Sequence, residues 1–170
     1  MNCELIVCCT KDGIIGNNNT IPWHIPEDLK YFRNTTINNI VIMGRKTYKS
    51  LPNGYLNNRM NIVITSKYLD YKNNTNIIFT NMDNIISIIE KLQKDQNRKI
   101  FIIGGSEIYR LFFDYCDTIH LTVIDNNITG DIIFPYQINQ FIKPKYSTIY
   151  KSDKLNFNHI VYQRFIYKKS

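Results

Sequence analysis

An α/β domain around a mostly parallel sheet is the fold class this sequence predicts, on three observations. Short apolar runs recur along the chain without the polar alternation of half-exposed strands: residues 5–9, Ile40-Val41-Ile42-Met43, residues 61–65, Ile77-Ile78-Phe79, Ile100-Phe101-Ile102-Ile103 and residues 118–124. Stretches with helical spacing separate several of them, and strand alternating with helix is the pattern of a parallel sheet with crossover connections. The tail, with runs at 146–150 and 158–167, reads as a closing antiparallel pair. With 170 residues, 44% of them hydrophobic, the chain suits one domain spanning 1–170. No internal repeat or linker divides it.

The first run, 5–9, is a strand buried on both faces. Lys11-Asp12-Gly13 breaks it, and the polar, turn-rich Ile14-Ile15-Gly16-Asn17-Asn18-Asn19-Thr20 is long enough for a mobile loop. Pro26 suits the first turn of a helix, where a missing N–H costs nothing, so a helix is expected over about 27–34. The second strand runs directly into Gly44-Arg45-Lys46-Thr47 and a short helix to Ser50. Pro52-Asn53-Gly54 is a turn, and 66–76 a polar loop between the third and fourth strands. Ile85, Ile86, Ile88, Ile89 and Leu92 repeat at helical spacing behind Asp83, a fair N-cap. The fifth strand ends at Gly104-Gly105 and opens into a helix through Ser106-Glu107-Ile108-Tyr109-Arg110. A loop over 125–134 follows the sixth.

The formal charge of +7 would suit an anionic partner. The basic residues are dispersed apart from Lys168-Lys169, whereas a nucleic-acid surface calls for clustered Lys and Arg with interleaved aromatics. No nucleic acid is expected. Cys3, Cys8, Cys9 and Cys116 lack metal-ligand spacing, and adjacent Cys8 and Cys9 point to opposite faces of a strand. No metal is expected. No signal peptide precedes the first strand and no apolar run approaches the ~20 residues of a membrane helix. The expectation is a cytoplasmic chain with reduced thiols, off the membrane. His24, His120 and His159 are too scattered for a metal site and are read as structural.

Ligands of parallel sheets bind beyond the carboxyl ends of the strands. Gly44 and Gly105 stand at two such ends, each leading into a helix whose first N–H groups are free for an anion. Arg45, Lys46 and Thr47 add two cations and a hydroxyl, a combination suited to a nucleotide with several phosphates. Standard phosphate loops fail: no G-x-G-x-x-G is present, and Asn39 stands where a P-loop needs its first Gly.

One short stretch organises the rest: Ile21-Pro22-Trp23-His24-Ile25-Pro26-Glu27-Asp28-Leu29-Lys30-Tyr31-Phe32. It holds the only tryptophan. At ~100° per residue Asp28 and Phe32 lie about 40° apart, with Leu29 on the flank of the same face. A lone acid on a core-facing helix surface is expensive unless it is used. Two apolar walls and a carboxylate suit a flat, nitrogen-rich heterocycle. Glu27, one residue earlier, is the better candidate for capping the helix.

With Pro22-Trp23, the Asp28 helix, Val41-Ile42-Met43-Gly44-Arg45-Lys46-Thr47 and Ile103-Gly104-Gly105 in order, the chain resembles dihydrofolate reductases. The match runs from about Leu5 to Phe165 and includes Asn61-Ile62-Val63-Ile64-Thr65 and Gly130-Asp131. Asp at 28 is similar to the bacterial, plant and protozoal form. The resemblance implies an eight-stranded, mostly parallel sheet with a C-terminal antiparallel strand and flanking helices. It also implies NADPH-dependent reduction of 7,8-dihydrofolate to tetrahydrofolate, with hydride passing to C6 and a proton to N5.

By the same resemblance Asp28 would pair with N3 and the 2-amino group of the pterin, Thr122 would bond to that carboxylate, and Trp23 would order a water. Ile6, Val7, Cys8, Leu29, Phe32, Leu51, Leu56, Ile103 and Tyr109 match positions lining the folate and nicotinamide pocket. Arg59 matches the arginine that grips the α-carboxylate of the glutamate tail, a task for its bidentate fork. Ile15, Gly44, Arg45, Lys46, Thr47, Thr65, Ser66, Gly104, Gly105, Ser106 and Tyr109 match the cofactor site. Among these, Arg45 with Ser66 would read the 2′-phosphate. Gly104-Gly105 resembles a pair that the family joins by a cis peptide.

No second acid is visible for N5, so delivery of that proton through water is what remains. Cys8 stands where many relatives carry Ala, and Asn17-Asn18-Asn19 makes the active-site lid unusually polar. A reductase of another pterin or of a riboflavin precursor would share the architecture. The combination of Asp28, Phe32 and Arg59 favours a glutamate-tailed folate. A monomer is expected, and the sequence does not decide fusion to a thymidylate synthase.

Overall fold

The computed structural model describes residues 3–95, 98–135, 144–151 and 155–163. Eight strands form one sheet in the order β5-β4-β3-β6-β1-β7-β10-β9. They are β1 (Cys3–Thr10), β3 (Ile40–Gly44), β4 (Met60–Ile64), β5 (Ile77–Thr80), β6 (Ile100–Ile102), β7 (Cys116–Ile124), β9 (Pro144–Lys151) and β10 (Asn156–Gln163). β10 pairs antiparallel with both β7 and β9, and every other pairing in this sheet is parallel. The predicted class and closing pair are borne out. The tail beyond Gln163, including Lys168-Lys169, lies outside the described residues.

Among the described residues four α-helices connect the strands: α1 (Pro26–Thr36), α2 (Arg45–Ser50), α3 (Met82–Asp95) and α4 (Ser106–Phe112). α1 outruns its predicted end because Thr36 Oγ1 bonds back to the Phe32 carbonyl at 2.7 Å and is itself fully buried. It has no side-chain cap, and Glu27 is simply exposed in its first turn. α3 starts two residues early, at Met82. Its capping oxygen belongs to Asn81, which accepts from the Asn84 N–H at 3.1 Å, so Asp83 is a first-turn acid and not the N-cap.

The predicted loop after β1 is partly sheet. β2 (Ile14–Gly16) pairs antiparallel with β8 (Ile132–Ile133) as a separate two-stranded ribbon. The sequence hid this because β8 has only two residues and its partner lies across the whole chain. Asn18 N–H donates to Asp131 Oδ1 at 3.0 Å, and Asp131 N–H to the Gly16 carbonyl at 3.2 Å, which fastens the loop to the segment after β7.

The sheet buries both faces. Cys9, Leu5, Ile42, Ile62 and Ile102 pack with Ile85 and Ile89 of α3 and Ile108, Tyr109 and Phe112 of α4. On the other face Ile6, Val41, Met43, Val63 and Phe101 pack with Tyr31 and Phe32 of α1 and with Leu51 and Leu56. Side chains as large as Phe101, Phe112 and Phe157 are fully buried, each worth about 1.5–3 kcal/mol relative to exposure. Strand alternation therefore splits the adjacent cysteines as expected: Cys8 faces α1 and Trp23, and Cys9 the opposite core.

Candidate active site

Three neighbouring strands put a row of polar side chains beneath α1. Cys8 of β1, Thr122 of β7 and His159 of β10 are register partners, so all three leave the same face. Asp28, on the first turn of α1, meets that row. Thr122 Oγ1 donates to Asp28 Oδ1 at 2.6 Å, and His159 Nε2 stands 3.1 Å from the same oxygen. Asp28 keeps 16% of its side chain exposed, so the carboxylate is sheltered yet reachable. Cys8 is pressed against it. Burial first, then the Asp28 charge, push the Cys8 thiol well above its ordinary 9.0, with the Trp23 indole acting in the other direction. Cys8 is thus a neutral wall between Trp23 and Asp28.

The predicted apolar residues pack mostly along one face of the sheet. Phe32 packs into the core on the α1 side together with Ile6, Leu51, Leu56 and Ile103. Leu29 is 51% exposed, one residue along α1 from Asp28. Val7 lies on the opposite core face with Tyr109. The Tyr109 hydroxyl nevertheless reaches through to donate to the Ile6 carbonyl at 2.9 Å, and burial pushes its ionisation well above the ordinary 10.0.

At the outer end of α1 a cavity of about 240 Å³ is lined by Arg33, Leu51, Pro52, Tyr55, Leu56 and Arg59, among others. Arg59 is pinned by two donations, Nε to the Asn57 carbonyl at 3.1 Å and Nη1 to Thr36 Oγ1 at 2.9 Å. Its guanidinium carbon lies 5.9 Å from the Phe32 ring centre. Burial, and then the Arg33 charge, lower its pKa, the signature of a cation without a neutralising anion. Arg33 carried no signal in the sequence, and the cavity reveals it as a second cation at the same mouth.

The two glycine junctions converge on the other side of the central strands. Gly44 N–H donates to the Gly104 carbonyl at 2.8 Å, and a Cβ on Gly44 would come within 3.1 Å of Ile108. Gly104-Gly105 is cis, as expected, and Gly104 has φ +102°. A Cβ on Gly104 would sit 2.9 Å from the Tyr109 ring, so only glycine fits. On Gly105 the nearest atom would be Thr47 Oγ1 at 3.5 Å, so bare backbone faces that hydroxyl. Arg45 is half-buried and Lys46 exposed at the start of α2.

Gly44 pairs with Ile64, so Arg45 and Thr65, with exposed Ser66 beyond it, leave the same edge of the sheet. Thr65 Oγ1 accepts the Lys67 N–H at 3.1 Å, and Ser106 Oγ donates to the Ile133 carbonyl at 2.9 Å. These two hydroxyls are engaged by the protein itself. Ile15 packs against the core from β2. Bare glycine backbone, two cations and the Thr47 hydroxyl suit the phosphates of a dinucleotide.

A family model described as dihydrofolate reductase matches residues 2–167. The chain belongs to the dihydrofolate reductase family. It is 39% identical over 157 residues to the dihydrofolate reductase of Buchnera aphidicola subsp. Acyrthosiphon pisum, covering 92% of this chain and 93% of that one. It is 34% identical over 146 residues to a bifunctional dihydrofolate reductase-thymidylate synthase of Arabidopsis thaliana, covering 78% of this chain and 26% of the relative. A solved dihydrofolate reductase from Enterococcus faecalis, complexed with NADP(H) and RAB-propyl, superposes with TM-score 0.80 at 27% identity over 96% of each chain. The reaction is the NADPH-dependent reduction of dihydrofolate to tetrahydrofolate.

The contact of Thr122 with Asp28 that the resemblance implies is present, and the two glycine junctions meet, Gly44 with Gly104. His159, read as structural, meets Asp28, a partner 131 residues away in the chain. The available signal was its place between Phe157 and Val161 at period two, which turns the imidazole inward. His120, also read as structural, is held within the fold. Its Nε2 lies 2.7 Å from Glu4 Oε2, and its Nδ1 2.7 Å from the Tyr31 hydroxyl. Among the described residues no cluster could hold a metal ion, and no helix is long and apolar enough to cross a membrane.

Proposed function

We propose that Asp28 anchors the pterin of dihydrofolate through N3 and the 2-amino group and favours protonation at N5, with the proton arriving through water. The observation that carries this is the Thr122–Asp28 hydrogen bond at 2.6 Å. It fixes the carboxylate beside a half-exposed leucine at the mouth of an apolar wall. A carboxylate fixed in one orientation can accept two parallel donors from a flat heterocycle, which orients the ring as well as holding it. Trp23, against Cys8 and near Asp28, helps order the water.

Arg59, with Arg33 beside it, takes the glutamate tail. Two of the five guanidinium donors of Arg59 are already spent on Thr36 and Asn57, which aims the remaining fork. Gly44, Lys46, Thr47, Gly104 and Gly105 hold the phosphates of the cofactor, and Arg45 with Ser66 reads its 2′-phosphate. Ile15, Thr65, Ser106 and Tyr109 frame that site through backbone and packing. NADPH, when bound, supplies the hydride for C6. The chain acts as one domain over 1–170, as a monomer in the cytoplasm.

The test is the loss of NADPH absorbance with dihydrofolate, with NADH and dihydrobiopterin as comparators. Turnover selective for dihydrofolate and NADPH is expected. Equal rates with dihydrobiopterin would remove the role given to Arg59.

A further inference from the structure

We propose that His159 is a positioning residue for Asp28, a donor from β10 that sets how readily the carboxylate and substrate share a proton. The inference rests on the role given to Asp28 above.

Three observations carry it. First, His159 Nε2 and Thr122 Oγ1 converge on the same oxygen, Oδ1, at 3.1 and 2.6 Å. Thr122 donates its only proton there. A carboxylate can only accept, so Nε2 of His159 must carry its proton at this contact. Second, His159 is 3% exposed, so the contact is shielded from water and from salt, and its influence on the acid is stronger than at a surface.

Third, the imidazole is held in place. Tyr31 lies against it with ring centres 4.3 Å apart and planes 31° from parallel, and Phe157 flanks it at 5.3 Å. Tyr31 is itself fixed by the 2.7 Å bond to His120, and His120 by Glu4. A side chain built in merely as filling would not need this alignment of Nε2 on the acid.

The titratable groups facing His159 among the described residues come from three elements. α1 presents Asp28 and Tyr31, β1 presents Cys8 in the same row, and β7 presents His120 in the neighbouring row, with Glu4 of β1 one row farther. Among the described residues Asp28 is the anion at hydrogen-bond distance from His159, and Glu4 is engaged by His120 and Lys99.

The consequence has a sign. A donor on Oδ1 stabilises the ionised carboxylate and disfavours an extra proton on the carboxylate–substrate pair. Removing that donor therefore moves the midpoint of the pair to higher pH. Hydride transfer that needs a protonated substrate then persists to higher pH.

The experiment measures single-turnover NADPH oxidation with dihydrofolate across about pH 5 to about pH 9 in the unaltered chain, His159→Phe and His159→Gln. His159→Phe is expected to raise the midpoint by about one pH unit, giving roughly tenfold faster hydride transfer on the alkaline limb. His159→Gln, whose amide can donate to the same oxygen, is expected to restore the midpoint.

An unchanged midpoint in His159→Phe would overturn the proposal. So would equal shifts in both variants accompanied by equal losses of melting temperature, which would mark packing alone. A substrate-free measurement separates this from the reaction itself. In the free enzyme, imidazole ¹⁵N spectra should show the His159 Nε2 signal moving in Asp28→Asn while exposed His24 stays put. A His159 signal indifferent to Asp28 would sink the proposal whether or not dihydrofolate turns over.

Discussion

The proposal that Asp28 and Arg59 divide the substrate between them makes a prediction at each residue. Asp28→Asn keeps the shape of the side chain but removes the charge that favours protonation. NADPH binding should survive, measured by fluorescence titration, while turnover at neutral pH should fall steeply. Partial recovery is expected at low pH, where substrate arrives already protonated. Unchanged neutral turnover would mean that the acid has another task. Arg59→Ala should raise KM for dihydrofolate by about 10- to 100-fold, the scale of hydrogen bonds to a charged group. A substrate lacking the glutamate should be almost indifferent to it. A similar loss for both substrates would place the arginine's importance in holding Thr36 and Phe32.

The proposed cofactor site rests on the two junction elements, and the small ribbon lies beside them at Ser106. α2 begins directly at the end of β3, so Arg45 projects from the sheet edge shared with Thr65 and Ser66. Arg45→Ala should weaken the preference for NADPH over NADH, read as the ratio of their kcat/KM values. An unaltered ratio would contradict the assignment of the 2′-phosphate. The β2–β8 ribbon depends on Gly130, where an added Cβ would lie 2.3 Å from the Gly16 carbonyl oxygen and 2.5 Å from Ile14 Cγ2. Backbone cannot yield as a side-chain tip can, so Gly130→Ala should push the loop after β1 away from Asp131. The ribbon stands apart from the main sheet, so kcat and KM should change together while the thermal midpoint moves little. A large fall in melting temperature with normal kinetics would show that the ribbon serves stability instead.

For the molecule as a whole, a second polar network under α1 ties acid stability to β1. Burial by itself would push the Glu4 carboxyl up, but hydrogen bonds from His120 and Lys99, with their charges, outweigh it and hold it below its ordinary 4.5. The folded state therefore binds the proton less readily than the unfolded chain. That contribution is present above about pH 4.5 and is lost as pH falls through the lower folded value. Glu4→Gln should flatten the dependence of the urea midpoint on pH below that point. An equally steep curve would show that other carboxylates govern acid unfolding.

The sequence by itself determined the class of fold, the order of the strands of the main sheet and the helices between them, and the family to which the chain belongs. Buried parallel strands are written as local apolar runs, glycine junctions as local breaks, and the Asp28 helix as one acid within an apolar stripe. Each of these is readable within about ten residues. The reach of α1, the Asn81 cap and the β2–β8 ribbon needed the structure, because small energetic choices at element ends are settled by distant partners. The row Cys8–Thr122–His159 is the clearest case. Its members lie on three strands, and only sheet register makes them neighbours. A side chain on a strand shows by its alternation which face it takes, but not what it meets there. What His159 meets is Asp28, and tertiary structure alone decided that.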